Sequence, residues 1–288
     1  MEAFDLSKNP YENFNGNFSS FHSFGPEYDA WIIEMMLDAI LPNHVVSQGT
    51  AAAADIGAGS CYWPILFLKK NRDLRVTAVD PSEILVMQQS EALLQSAEDV
   101  ADRLTRVCTT VQEYAATCSS PDVRQSLDCI YFMQSAHYID EHDFTNLVKQ
   151  LTRSLKPGRR KLVIQARNMT PNWHPWPFPH EWRTKVEEAL VGTDMFYRAD
   201  RYRTKLSKMS DVFKEVRNAN YEFTVRIDAE SYWERLESRW IPTFMGEKII
   251  PAPLHRIGID AMKNRFARNN EAQVVWTEKF VVVIAEMF

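Results

Sequence analysis

A single turn constrains this sequence more than any other feature. A short apolar run, Ala51–Ile56, ends in Asp55-Ile56-Gly57-Ala58-Gly59-Ser60, and a helical stretch follows to Lys70. Closely spaced glycines between a strand and a helix let the backbone approach a ligand, and the start of the helix offers free N–H groups. Leu74–Val79 is strand-like again and ends at Asp80-Pro81-Ser82. The two runs frame a βαβ unit, whose strands must lie parallel.

The alternation continues. A helix is predicted from Ser82 to Ser96, a third strand over Leu104–Thr110 and a fourth over the strongly apolar Leu127–Met133. An amphipathic helix over 141–155 is closed by Lys156-Pro157-Gly158, and Lys161–Ala166 reads as a fifth strand. Upstream, Trp31, Met35, Ala39 and Ile32, Met36, Ile40 recur at helical spacing within Glu27–Leu41, which Pro42 ends. Downstream, Tyr221–Ile227 and Gln273–Ala285 read as the last two strands, the latter bent near Glu278, with helices over Ala229–Leu236 and Leu254–Arg268 between them. These elements predict an α/β fold: a doubly wound, mostly parallel, seven-stranded sheet with ligands at the carboxyl ends of its strands. Pro171, Pro175, Pro177 and Pro179 break the pattern, so residues 169–220 are expected to form an inserted cap. The rest divides into an N-terminal arm and helix over 1–44 and a core over 45–168 and 221–288.

Composition narrows the partners. Hydrophobic residues make up 45% of the chain and charged residues 25%, enough to bury a core. A net charge of −5 provides no basic field for nucleic acid. No apolar stretch approaches the roughly 18–20 residues that span a bilayer, so no membrane partner is expected. Cys61, Cys108, Cys118 and Cys129 form no C-x-x-C pair, which argues against a metal site and for reduced thiols in a cytoplasmic protein. The opening residues show no basic, then apolar, leader pattern.

The turn alone suits several adenosine-bearing ligands. A dinucleotide fingerprint wants a third glycine where this chain has Tyr62, which disfavours a nicotinamide oxidoreductase. Asp80 stands where an acid can accept both hydroxyls of a ribose; it could equally cap the next helix.

The runs AAADIGAGS, VTAVDPSE, DCIYFMQSAHYID and SLKPGRRKLVI resemble the successive motifs of class I S-adenosylmethionine-dependent methyltransferases of Rossmann-like fold. Within that class the chain is most similar to the small-molecule branch typified by trans-aconitate methyltransferase, including the Val275-Trp276 pair in the final strand. The resemblance implies S-adenosylmethionine as cofactor. It places Gly57, Gly59 and Gln134 at the methionine end, Asp80 on the ribose, Pro81 or Ser82 beside the adenine, and Thr110 and Val111 around its amino edge, and it counts Asp55 among the cofactor-binding residues. Phe18 and His22 stand roughly where relatives carry a Tyr and an Arg that reach the cofactor, and Cys61 stands where many carry a glycine.

Methyl transfer is an in-line displacement that positioning and water exclusion can drive. His137 is the candidate general base, or else a structural imidazole. Asp140 is read as a helix cap. Trp173, Trp176, Phe178, Trp182 and Trp240 are candidates to line an apolar acceptor pocket, the alternative being a small core of the cap itself. The basic run over residues 198–217 is read as a solvated face, with anion attraction as the alternative. The expected function is transfer of a methyl group to an O, N or C atom of a small metabolite, such as a carboxylate or a hydrophobic natural-product intermediate. The alternative is a non-catalytic S-adenosylmethionine-binding protein. A homo-oligomer, with the arm over a neighbour's site, stays open.

Overall fold

The computed structural model describes residues 30–41, 50–95, 97–136, 139–158, 160–167, 198–229 and 273–288, with isolated positions between 260 and 267. In chain order the elements are α1 (Ala30–Ile40), β1 (Ala51–Ile56), α2 (Tyr62–Lys70) and β2 (Leu74–Asp80). A π-helical turn, Ile84–Gln89, then runs into α3 (Ser90–Leu94), followed by α4 (Glu98–Ala101), β3 (Leu104–Cys108), α5 (Val111–Thr117) and β4 (Cys129–Met133). Next come α6 (Glu141–Leu151), β5 (Lys161–Arg167), α7 (Arg198–Ser207), β6 (Phe213–Asp228) and β7 (Gln273–Met287).

The seven strands form one sheet in the order β3-β2-β1-β4-β5-β7-β6. β1 to β5 pair in parallel, and β7 is antiparallel to both β5 and β6. The strand order reverses between β1 and β4. Loops leaving those two strands diverge there, so a crevice opens at their carboxyl ends.

Period-two alternation sorts the strand residues into two cores. Ala53, Cys129, Tyr131, Val163, Phe280 and Val282 face α1 and α2, meeting Ile32, Met36, Ile40, Trp63 and Phe67. Ala54, Ile56, Ile130, Phe132, Leu162 and Val283 face α5, α6 and α7, meeting Tyr114, Phe144, Leu147, Leu151, Tyr202 and Leu206. β4 is buried at every position. A central parallel strand covered on both faces reads as an unbroken apolar run, as Cys129–Met133 does.

Several boundaries differ from those expected. β6 begins at Phe213, not Tyr221, and α7 packs Tyr202 and Leu206 against the sheet. Residues 198–220 of the expected cap therefore belong to the core, while residues 168–197 lie outside the described residues. Strand periodicity is masked there because β6 is an edge strand with charged, solvent-facing positions. The register of β6 on β7 shifts between Phe213 and Glu215, opposite the end of β7, and pairing runs unbroken past Glu278, where an irregularity was expected. The helix expected over Ser82–Ser96 is a π turn followed by a short α-helix.

At the amino end of the sheet, Asp128 immediately precedes β4 and is 5% exposed. Its carboxylate accepts from the Ala52 N–H (3.0 Å) and Lys156 Nζ (2.6 Å), and pairs with Arg160 Nη1 (2.7 Å). These contacts tie β1, β4 and the turn before β5 together.

Candidate functional site

The carboxyl ends of β1, β2 and β4 bring together the described residues that the sequence singles out. Gly57 and Gly59 both hold positive φ, at 75° and 54°. Their reasons differ. A Cβ on Gly57 would collide with the Ser135 side chain, so this glycine admits the loop after β4 rather than a ligand. Ser135 Oγ donates to the Ile56 carbonyl, stitching the two loops together across the crevice. A Cβ on Gly59 would meet nothing within 4 Å, so the open surface of the turn lies there. Cys61, two residues on, is also left-handed, at φ 62°, a conformation that favours glycine. Burial pushes its thiol up to about 12, so it is an un-ionised packing group.

Asp80 ends β2 and is 4% exposed. Its Oδ2 accepts from the Gly59 N–H at 2.8 Å and its Oδ1 from the Ser82 N–H at 2.9 Å. The Ser82 contact holds a turn and is not the expected helix cap: the helical turn that follows has Glu83 at its N-cap, and it is the Ser82 Oγ that accepts from the Leu85 N–H, at 3.4 Å. Each oxygen retains a second lone pair, and the carboxylate links the glycine turn to the loop after β2. Burial raises its pKa, opposed by those two N–H donors.

Asp55 lies beneath the turn, 1% exposed, as the register partner of Tyr131 on β4. Its Oδ1 has no hydrogen-bond partner. Burial, and then the Asp80 charge, hold its pKa well above the usual carboxylate range. Gln134, just past β4, holds a left-handed φ of 58°, and its N–H donates to the Gln165 carbonyl at 3.1 Å. A non-glycine residue held in that region is a local strain of about 1–3 kcal/mol of the kind that gathers at binding sites.

Thr110 is occupied as the N-cap of α5, in a reciprocal capping box with Glu113, and Val111 opens that helix. Asp140 caps α6, accepting from the His142 N–H at 2.8 Å. His137, Phe18, His22, Trp173, Trp176, Phe178, Trp182 and Trp240 lie outside the described residues. Pattern reading missed Ser135, which meets the glycine turn, Tyr131, the register partner of Asp55, and Gln165, whose carbonyl holds the Gln134 N–H. Only strand register brings them there.

Residues 54–159 match the model of a family described as a methyltransferase domain. No curated protein matches the sequence. Among solved structures, the chain resembles phosphoethanolamine N-methyltransferase 2 of Haemonchus contortus, in complex with phosphomonomethylethanolamine and S-adenosylhomocysteine. The TM-score is 0.53 at 14% identity over 99% of this chain and 60% of the other. The same enzyme in complex with S-adenosyl-L-methionine aligns with the same values. This chain thus spans about 60% of the length of the worm enzyme. Geranyl diphosphate C-methyltransferase of Streptomyces coelicolor aligns more loosely, at TM-score 0.42 and 15% identity over 90% of this chain and 76% of that one. The sheet order here, with β7 antiparallel between β5 and β6, is that of the class I methyltransferase fold. Among the described residues no group of His, Cys, Asp and Glu is placed to hold a metal ion, and no helix is long and apolar enough to cross a membrane.

Proposed function

We propose that the protein is an S-adenosylmethionine-dependent methyltransferase acting on a small molecule. The observation that carries this reading is the open face of Gly59, hydrogen-bonded to a buried acid at the end of β2 beside the strand-order reversal. The residues fit the cofactor. Asp80 has lone pairs left for two vicinal hydroxyls, Pro81 and Ser82 flank the adenine side, and Asp55 lies below the methionine end. Bound there, S-adenosylmethionine supplies an activated methyl group on a sulfonium. The chain's own part is to orient it, exclude water and present the acceptor opposite the sulfur. The apolar residues Trp173, Trp176, Phe178, Trp182 and Trp240 suit an acceptor with a hydrophobic body. His137 takes the acceptor's proton where there is one to remove. The acceptor atom, O, N or C, is a matter of what this pocket admits.

Calorimetric titration with S-adenosylhomocysteine tests the donor site, and a methyl-donor turnover assay separates an enzyme from a pure binder. Asp80→Ala is expected to weaken S-adenosylhomocysteine binding by roughly 1.5–3 kcal/mol, the scale of hydrogen bonds to a charged group. Unchanged affinity would remove Asp80 from the ribose.

A further inference from the structure

The sheet has a second concavity, on β2 and β3, away from the crevice between β1 and β4. Helix α5 is only seven residues long, and its Tyr114 and Ala115 share a core with Ala54, Ile56 and Val79. The outer part of that sheet face is left bare. Thr77 pairs in register with Thr105 and Val79 with Val107, and Thr105 is exposed. Between this bare face, α5 and the loop before β4 lies a cavity of about 520 Å³, a size that holds a small molecule. None of the residues expected to bind the methyl donor lines it.

The lining sorts by depth. Tyr114 and Leu127, 7% and 5% exposed, form the floor, with the half-buried Val107 and Val123 beside them. Tyr114 gives its carbonyl oxygen to the Thr117 and Cys118 side chains, but its hydroxyl has no hydrogen-bond partner among the described residues. That hydroxyl is not one of the fully enclosed unpaired atoms of the core, so it opens onto the cavity that its residue lines. A phenol placed there can both donate and accept.

The rim is acidic. Glu113 and Asp122 are exposed, and neither lysine nor arginine lines the cavity. Arg75, two residues before Thr77, donates instead to the Asp102 carbonyl at 3.4 Å, and Arg153 donates to Ser119 Oγ at 2.8 Å. Arg124, although next to Val123, does not line the cavity. Glu113 Oε2 accepts from the Thr109 and Thr110 hydroxyls, at 2.7 and 2.9 Å, and from the Thr110 N–H at 3.1 Å. Its Oε1 takes no part in these contacts. Two carboxylates with no cation between them repel an anion. A wholly apolar occupant would seal the Tyr114 hydroxyl from water without a partner. A cation at the rim, an apolar span and a polar atom at the floor satisfy all three parts.

We propose that this cavity is a second binding site, distinct from the donor crevice, for a small amine. Glu113 and Asp122 hold the ammonium, Val107 and Leu127 meet the apolar span, and Tyr114 Oη pairs with a hydroxyl at the far end. Occupancy is felt at the turn after β3, because the ligand shares Glu113 with the Thr109 and Thr110 hydroxyls.

Tyramine is the probe, titrated calorimetrically into the full chain. Its comparison compounds are 2-phenylethylamine, which lacks the hydroxyl, and 3-(4-hydroxyphenyl)propanoate, which carries a carboxylate in place of the ammonium. Tyramine is expected to bind saturably, about fivefold tighter than 2-phenylethylamine and about tenfold or more tighter than the propanoate. Tyr114→Phe is expected to erase the preference for tyramine over 2-phenylethylamine, and Asp122→Asn to weaken both amines about threefold. Saturating S-adenosylhomocysteine is expected to leave tyramine bound. Absence of saturable tyramine binding, equal affinity for the three compounds, affinities unchanged by either substitution, or displacement by S-adenosylhomocysteine overturns the proposal. Asp122 is exposed at the rim, so Asp122→Asn carries the test if Tyr114→Phe does not fold. A parent protein that takes tyramine but not S-adenosylhomocysteine overturns the donor reading alone and upholds this site.

Discussion

Asp128 and Asp55 are buried aspartates at opposite ends of the same pair of neighbouring strands, and their surroundings differ completely. Asp128 has both oxygens taken, by Lys156, Arg160 and the Ala52 N–H. Asp55 has an oxygen with no partner and a second carboxylate, Asp80, nearby to oppose its ionisation. A buried charge with complete pairing has nothing left to offer a ligand. A buried acid left incomplete retains capacity for one. The amino end of the sheet is thus built for cohesion and the carboxyl end for exchange.

The sharpest way to break this contrast is to remove Asp128. Asp128→Ala leaves two cations facing each other around an empty site and is expected to lower stability by about 3 kcal/mol, read by urea denaturation. The folded fraction is expected to bind S-adenosylhomocysteine as before. A large change in affinity would mean that the two ends are not separable. Gly57→Ala acts at the other end, by about 2–3 kcal/mol, since it adds a left-handed penalty to the collision with Ser135. Adding Ser135→Gly is expected to recover the collision component and leave the backbone penalty. No recovery would assign the whole effect to φ.

The smallest effect is a pH dependence. The folded pKa of Asp55 is raised by burial, so folding favours its protonated form. Its contribution to stability is complete below the unfolded carboxyl value of about 3.9 and is lost as pH rises through the folded value. Asp55→Asn abolishes this loss, so the ligand-free variant is expected to gain in melting temperature relative to the parent between acid and neutral pH. A difference that does not vary with pH would show that folding leaves the Asp55 pKa where it is in the unfolded chain.

Much of this was legible in the residues. The order of strand, glycine turn, strand and acid led to the βαβ unit, to Asp80 and to the seven-stranded sheet, because local spacing carries that information. Tyr131 was invisible because, within an apolar strand, a tyrosine scores as one more large residue. Gln165, a lone polar residue within β5, belongs to no motif that would mark it. Their shared face depends on register between segments far apart in sequence, as does the pairing of Asp128 with Arg160. Spacing alone suggests that Gly57 makes room for a ligand, whereas the crowding comes from Ser135, 78 residues away in the chain. Edge position disguised β6, since its charged solvent-facing residues resemble a polar helix face.

The placement of β7 between β5 and β6 has a kinetic consequence. Among the described residues β6 has one neighbour in the sheet, and that neighbour comes later in the chain. Until Gln273–Met287 slots in, β6 has no ladder to join and β5 presents a bare edge. Assembly should therefore proceed outward from the parallel strands, with a late, rate-setting insertion that docks two strands in one event. Any agent that competes for that bare edge during the interval would trap the chain one step short of its native sheet.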